Sequence, residues 1–376
     1  MAQLYILLAL LYPLALFAMK RSWDKHGRKH FNGTPHASAA LLIAFRNEKA
    51  NLPRLLKNLE KSIPPEGEVI FVDDNSRDGS PEIIHDFLQE NRELKWRLLY
   101  SPGKGKKRAL SAAIGHTRAE IIITTDADCM VSNRWLWALL RPFHEEHVQL
   151  VSGPVMTSPG NTFFEQFQQI EWASILLLTQ FLFARGQPSM CSAANLAYRK
   201  SAFLEVGGYA GNEQHLSGDD EFLLKKIIQR FGADSAIYLN KREVLVKTAP
   251  LPHWNLFVQQ RIRWASKWKL HGFSPNLLGA ALTVALAAIQ VGSVSLVFGG
   301  NFYRLAFVVF WLTKILGEKW ALGNLLKQYK IQPSLLSFIK SSLLHPLYIL
   351  WVAPLAAMGN FTWKGRTQKA VAARGQ

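Results

Sequence analysis

Cysteine is nearly absent: the 376 residues hold two, Cys129 and Cys191. Two thiols make no disulfide framework, and nothing points to an oxidising compartment. Charge is also sparse. Lys, Arg, Asp and Glu make up 19% of the chain against ~25% in soluble domains, while apolar residues reach 49%. This balance excludes a disordered chain, a collagen-like repeat and a coiled coil. There is no internal repeat and no low-complexity linker. The glycine spacings of a Walker loop and of a dinucleotide fingerprint are missing. So are a Ser/His/Asp order and a Cys/His pairing, which leaves no nucleophilic triad to consider. His85, His116 and His253 lack metal-ligand spacing.

Acid is what the C-terminal third lacks most. Residues 244–376 contain 15 Lys/Arg and one acid, Glu318, a net of +14 out of the chain's +17. A basic excess on an apolar third suits a membrane surface with anionic lipid. A nucleic-acid binder would place its basic stripe on a soluble domain, so no nucleic-acid partner is expected.

Residues 3–19 form an uncharged apolar stretch of about 17 residues, near the lower limit for a spanning helix. No basic residue precedes it, and five Lys/Arg follow within residues 20–29. That order favours an anchor with its C-terminal side in the cytoplasm over a cleaved signal peptide. The expected organisation is an N-terminal transmembrane anchor over 1–19 and a cytoplasmic catalytic domain over 20–253. An interfacial amphipathic helix over 254–272 carries Trp254, Trp264 and Trp268. A membrane region over 273–358 and a basic tail over 359–376 complete the chain. Within the membrane region, 276–298 is expected to span, and Lys314, Glu318 and Lys319 interrupt 302–323. Pro346 and Pro354 make 334–358 the candidate for a broken, re-entrant segment, which leaves the tail inside.

Between the membrane segments, apolar runs alternate with helical patterns. Strands are expected at 39–45, 68–74, 96–100 and 120–126, and an amphipathic helix at 48–61. Ser80 followed by Pro81 reads as an N-cap and first-turn proline. Repeated βα units imply a mostly parallel sheet with helices on both faces. Function in such sheets gathers at the C-terminal strand ends.

The chemistry-bearing residues fall at those ends. Asp126 and Asp128, within Thr125-Asp126-Ala127-Asp128-Cys129, follow a buried run. Their hard oxygens suit Mg²⁺ or Mn²⁺ beside a diphosphate; otherwise they form a solvated turn. Asp73 and Asp74 end an earlier strand and either accept hydrogen bonds from a nucleoside or cap the next turn. Gly103 to Lys107 precede a helix and offer an anion site or a basic turn. Ser217-Gly218-Asp219-Asp220-Glu221 opens another helix, where acids also simply complement the dipole. Asp220 is the candidate general base, although a helix N-terminus weakens a carboxylate in that role. In Gln260-Arg261-Ile262-Arg263-Trp264, two guanidinium forks and an indole suit a diphosphate and a sugar face, or a snorkelling interfacial helix.

Taken together and in order, AFRNE (44–48), VDDNS (72–76), GKKRAL (105–110), TDAD (125–128), SAANLAYRK (192–200), GGY (207–209), GDDE (218–221) and QRIRW (260–264) resemble the membrane-bound family 2 glycosyltransferases. That family includes the synthases of cellulose, chitin, hyaluronan and poly-N-acetylglucosamine, and ceramide glucosyltransferase-like enzymes have a related pattern. The resemblance implies a GT-A-type, Rossmann-like α/β fold with a mostly parallel sheet and N- and C-terminal transmembrane helices. It implies an inverting hexosyl transfer from a nucleotide-diphosphate sugar, foremost a UDP-sugar, to a lipid-linked or polysaccharide hydroxyl at the cytoplasmic face of the inner membrane. In that likeness Asp220 is the base. Asp74 and Lys106 contact the nucleotide, Asp126 and Asp128 hold the diphosphate and metal, and Asn195 lines the acceptor site. Asp219, Gln260, Arg261, Arg263 and Trp264 complete the substrate-binding set. Ala193 departs from the family, standing where many members have Gly. Two other functions fit parts of the sequence: a non-catalytic binder of nucleotide sugar, and a nucleotidyltransferase, for which QRIRW has no evident role.

Overall fold

The computed structural model describes residues 1–27, 31, 33, 37–212, 218–265, 275–358, 361–363 and 366–368. Ser217, the 266–272 end of the interfacial helix with Trp268, and most of the basic tail lie outside the described residues. The chain forms two compact units. One comprises Met1–Ser22, Pro159–Leu177 and Pro250–Gln376; the other comprises Trp23–Ser158 and Leu178–Ala249. Residues 159–177, expected within the catalytic domain, thus belong to the unit that holds the apolar helices.

The second unit is built on a seven-stranded sheet in the order β3-β2-β1-β4-β8-β6-β9. Its strands are β1 (Ala39–Phe45), β2 (Glu68–Asp73), β3 (Trp96–Tyr100), β4 (Ile121–Thr124), β6 (Leu150–Ser152), β8 (Leu196–Arg199) and β9 (Ala236–Tyr238). β1 to β4 are parallel, β8 runs antiparallel to β4 and β6, and β9 is parallel to β6. β5 (Cys129–Met130), β7 (Val155–Thr157) and β10 (Val246–Thr248) make a small second sheet with β10 in the middle. The four residues of β4 and the last five of β2 are buried on both faces, as expected of strands covered by helices.

The helices over this sheet are α2 (Leu52–Ser62), α3 (Ser80–Glu90), α4 (Lys106–Gly115), α5 (Trp135–Leu140), α7 (Lys200–Glu205) and α8 (Asp219–Phe231). α2 buries Leu52, Leu55, Leu56 and Leu59 at helical spacing. Leu110 and Ile114 from α4 and Leu223, Leu224 and Ile227 from α8 join Leu42, Ile70 and Ile122 in one core cluster. The expected cap at Ser80 is corrected by one position: Gly79 is the N-cap and Ser80 is the first helical residue. The Ser80 hydroxyl instead accepts from the Glu48 N–H at 2.8 Å and donates to Asp78. Register places Phe45 opposite Asp73 and Asp73 opposite Tyr100, so the C-terminal ends of β1, β2 and β3 finish level.

The first unit contains most of α1 (Ala2–Gly27) and of α6 (Phe163–Ala184), with α9 (Trp254–Ala265), α10 (Pro275–Gly292), α11 (Asn301–Gln328) and α12 (Leu335–Met358). A short hairpin follows, β11 (Phe361–Trp363) with β12 (Arg366–Gln368). Among the described residues, three helical segments are long and apolar enough to cross a membrane: Ala2–Gly27, Leu278–Phe298 and Leu335–Met358. Leu4, Leu10 and Leu14 of α1 and Leu343, Leu347 and Trp351 of α12 are exposed, as lipid-facing side chains would be.

The expectation of a broken segment at 334–358 is overturned. α12 is one continuous helix with Pro346 and Pro354 inside it. Pro346 has no N–H for the carbonyl four residues earlier, that of Ser342. Lys314 Nζ donates to that carbonyl at 3.0 Å and supplies the missing partner. Lys314 is also bonded to Glu318 at 2.7 Å, and the Ser342 hydroxyl donates to the same carboxylate. Tyr12 of α1 donates to Glu318 at 2.6 Å. Gly317 permits this approach: a Cβ there would stand 3.2 Å from Pro13. The charges that weaken 302–323 as an apolar run are therefore the polar centre of three packed helices.

Removing one member of such a pair leaves an uncompensated buried charge. Glu318→Leu should lower stability by about 3–5 kcal/mol, and Lys314→Met/Glu318→Leu by less. Adding Pro346→Ala to the double variant should then stabilise it, because the Ser342 carbonyl regains an intrahelical donor. Thermal unfolding in detergent checks all three. A Glu318→Leu protein that melts like the parent would contradict the assignment.

Candidate active site

The level strand ends carry the polar residues of the second unit. After β2, Asp73 receives the Ser76 N–H at 3.0 Å and so fixes the turn. Asp74, 3% exposed, receives the Gly105 N–H at 2.8 Å. Gly105 has φ 106°, a conformation that a residue with a Cβ adopts only under strain, so glycine is needed to aim this N–H. After β1, Arg46 donates to the carbonyls of Asp74 and Asn75 at 2.9 and 2.8 Å. The expected nucleotide contact Asp74 is thus held in a rigid frame from three loops.

After β4, the chain turns sharply, with the Cys129 N–H bonded to the Asp126 carbonyl at 3.1 Å. Thr124 and Thr125 anchor the turn through the carbonyls of Ala193 and Ala194 at 2.7 and 2.9 Å. The turn gathers Asp126, Asp128 and Cys129, whose ligand atoms lie within 4.8 Å of one another. Two half-buried carboxylates at that separation fit a hard divalent cation. Burial, and then the charges of Asp128 and Asp126, push the Cys129 thiol up. Its sulfur lies 3.5 Å from Asp128, to which it donates. Thr248 of β10 donates to the other Asp128 oxygen at 3.2 Å.

Lys106, at the start of α4, links this turn to α8. Its ammonium is 2.5 Å from Asp126 and 3.9 Å from Asp219. Burial works against the charge, but Asp126, then Asp219 and Asp220, outweigh it and raise the lysine above its ordinary range. Asp220 receives the N–H groups of Ala193 at 3.1 Å and Glu221 at 2.9 Å, which orient its carboxylate. The structure therefore brings Asp74, Lys106, Asp126, Asp128, Asp219 and Asp220 to one end of one sheet.

Asn195 has a different surrounding from the one expected. It is fully buried. Its amide donates to the carbonyls of Pro154 and Val244 at 2.9 and 2.7 Å and accepts from the Trp135 indole at 2.9 Å. These bonds make it a brace between the two sheets. Gln260, Arg261, Arg263 and Trp264 belong to α9 in the other unit. Arg261 is 5% exposed and forms a two-pronged ion pair with Glu171 of α6, while Arg263 and Trp264 are half-buried. Trp264 meets Trp172 edge to face at 5.1 Å.

Several of these partners carried no assigned role in the sequence. Cys129 directly follows the acidic pair, and Arg46 lies in the AFRNE motif, so both signals were present. Glu171 stands in the apolar middle of α6, where an acid signals a buried partner. Thr248 gave no signal, because its three-residue strand is too short to read.

Residues 40–207 match the family described as Glycosyl transferase family 2. The chain is 28% identical over 246 residues to a β-monoglucosyldiacylglycerol synthase of Nostoc sp., covering 64% of this chain and 51% of that one. It is 24% identical over 268 residues to a poly-β-1,6-N-acetyl-D-glucosamine synthase of Staphylococcus epidermidis, covering 69% and 62%. The chain spans about half to three fifths of the length of these curated relatives. Among solved structures it shares the fold of the mannosyltransferase PcManGT of Pyrobaculum calidifontis, in complex with GDP-Man and Mn²⁺. The TM-score there is 0.58 with 17% identity, over 95% of this chain and 99% of that one. The acidic strand ends described above lie on a sheet of the GT-A type, within and just beyond the stretch, residues 40–207, that is similar to the family 2 glycosyltransferases.

Proposed function

We propose that this protein transfers a sugar from a nucleotide-diphosphate donor, foremost a UDP-sugar, to a hydroxyl of a lipid or glycan acceptor at the cytoplasmic face of the inner membrane, with inversion. The observation that carries the proposal is the convergence of Asp126, Asp219 and Asp220 on Lys106, with Asp74 and Asp128 at the same strand ends. Such a site is short of positive charge and suits a metal-bound diphosphate. The relatives named for glucosyldiacylglycerol and poly-N-acetylglucosamine support an acceptor that is lipid or glycan. The apolar helices, and the five Lys/Arg after the first of them, support the membrane and its inner face.

In this reading the domain order is the anchor over 1–19, catalytic domain over 20–253, interfacial helix over 254–272, membrane region over 273–358 and basic tail. Asp126 and Asp128 hold Mg²⁺ or Mn²⁺, which when bound neutralises the departing diphosphate. Asp74 and Lys106 orient the nucleotide. Asp220 takes the proton of the acceptor hydroxyl. The acceptor oxygen forms a bond to the anomeric carbon as the bond from that carbon to the diphosphate oxygen breaks. A single displacement of this kind inverts the anomeric centre. Gln260, Arg263 and Trp264 serve the diphosphate and the acceptor sugar, as in the family that the motif resembles.

Membranes containing the protein should transfer label from one member of a panel of radiolabelled nucleotide sugars. Partition of the product between organic and aqueous phases separates a lipid from a glycan acceptor. Binding of a nucleoside diphosphate without transfer from any donor would instead favour the non-catalytic binder, and release of pyrophosphate from a nucleoside triphosphate the nucleotidyltransferase. Asp128→Asn should weaken metal-dependent nucleotide binding, measured by calorimetry. Asp220→Asn should leave that binding intact and lower kcat by about 10²–10⁴. Full turnover in Asp220→Asn would remove it as the base. Arg263→Lys should not retain activity, because a point charge does not replace a planar fork on a diphosphate.

A further inference from the structure

We propose that Glu171 is a positioning residue for the Gln260–Trp264 segment, acting through Arg261. The inference rests on the reading of that segment as substrate-binding. Glu171 and Arg261 are 6% and 5% exposed. Arg261 Nε lies 2.9 and 3.0 Å from the two Glu171 oxygens, and Nη2 donates to the same carboxylate. Nη1 donates to the side-chain oxygen of Gln260. Every nitrogen of the guanidinium is thus engaged inside the cluster. The group also lies over the rings of Phe257 at 4.2 Å and Trp264 at 4.3 Å. Glu171 therefore fixes the cation, and the cation fixes both the Gln260 amide and the Trp264 indole.

Two further bonds make this junction stiff. Tyr348 of α12 donates to Glu171 at 2.9 Å, which ties a membrane helix to the same carboxylate. Gln168, one turn before Glu171, exchanges hydrogen bonds with the backbone of Leu251 at 3.0 and 2.9 Å, just before α9 begins. α6 grips α9 at its entry and at its centre. Arg261 is then an internal strut of the motif.

The test uses the full chain in lipid nanodiscs, with Glu171→Gln, Arg261→Gln, the double variant and Tyr348→Phe. Amide hydrogen exchange across 254–265 reports the position of α9. UDP with Mn²⁺ reports nucleotide binding, and the sugar nucleotide that the panel identifies reports turnover. Glu171→Gln should lose protection in 254–265 and lower kcat by about 10- to 100-fold, with UDP binding and donor KM changed far less. The double variant replaces the ion pair with two amides and should exceed either single variant in both protection and kcat. A double variant no better than Arg261→Gln would show Arg261 serving substrate directly and overturn the proposal. Unchanged protection in Glu171→Gln would overturn it as well. If Glu171→Gln does not fold, Tyr348→Phe keeps the charge pair and carries the same test: partial loss of protection supports the proposal, and none overturns it. Loss of protection in a protein whose parent transfers no sugar from any donor would sustain the clamp and sink the proposed function.

Discussion

The ammonium of Lys106 is the group on which the candidate site depends. Five aspartates meet at the ends of β2 and β4 and the start of α8, and like charges so close oppose one another. One fixed cation between Asp126 and Asp219 lets the two loops approach, and the acids in turn keep the lysine charged despite its burial. The balance remains negative. A site of this kind is assembled yet still short of positive charge, which is the condition for recruiting a divalent cation with an anionic nucleotide.

The same constraint governs the helical unit, where water is less available. Two buried ion pairs lie there: Lys314 with Glu318, and Arg261 with Glu171. Each pair also serves a third element. Glu318 collects Tyr12 and Ser342, and Glu171 collects Tyr348. A hydrophobic helix pair in lipid slides with little penalty, because lipid tails are as apolar as leucine. A pair joined through a buried carboxylate has one register, since any other strands a charge.

The first four strands were legible in the sequence because each is a continuous apolar run closed by turn residues. Their ends carry the acids, so the core of the candidate site was legible with them. β5 to β10 were not, because they have two to four residues each and no period develops over such lengths. The antiparallel β8 was hidden within a segment read for its polar residues. The bonds of Asn195 were hidden with it: an asparagine that braces backbone carbonyls has the same sequence appearance as one that faces a sugar. Arg261 raised the same ambiguity, and its pairing with Glu171 could not be read from the sequence. The prolines of α12 misled for a different reason. Their effect depends on whether the orphaned carbonyl finds a donor, and that donor, Lys314, lies on another helix.

Within two of the motifs, burial differs sharply from one position to the next. In Gln260-Arg261-Ile262-Arg263-Trp264, the buried positions are Arg261 and Ile262, while Gln260, Arg263 and Trp264 are half-buried. In the strand-end loops, Asp126 and Asp128 are half-buried, whereas Thr124 and Thr125 just before them are enclosed and spent on backbone carbonyls. A side chain that is enclosed and fully bonded has no capacity for a substrate, because a new bond would cost an existing one without return. A half-enclosed polar group keeps one side for a ligand and one for the scaffold that aims it. Asp126, Asp128, Asp220, Arg263 and Trp264 are half-buried positions of these motifs. Asn195, Arg261 and the two threonines are enclosed and bonded to the scaffold around them.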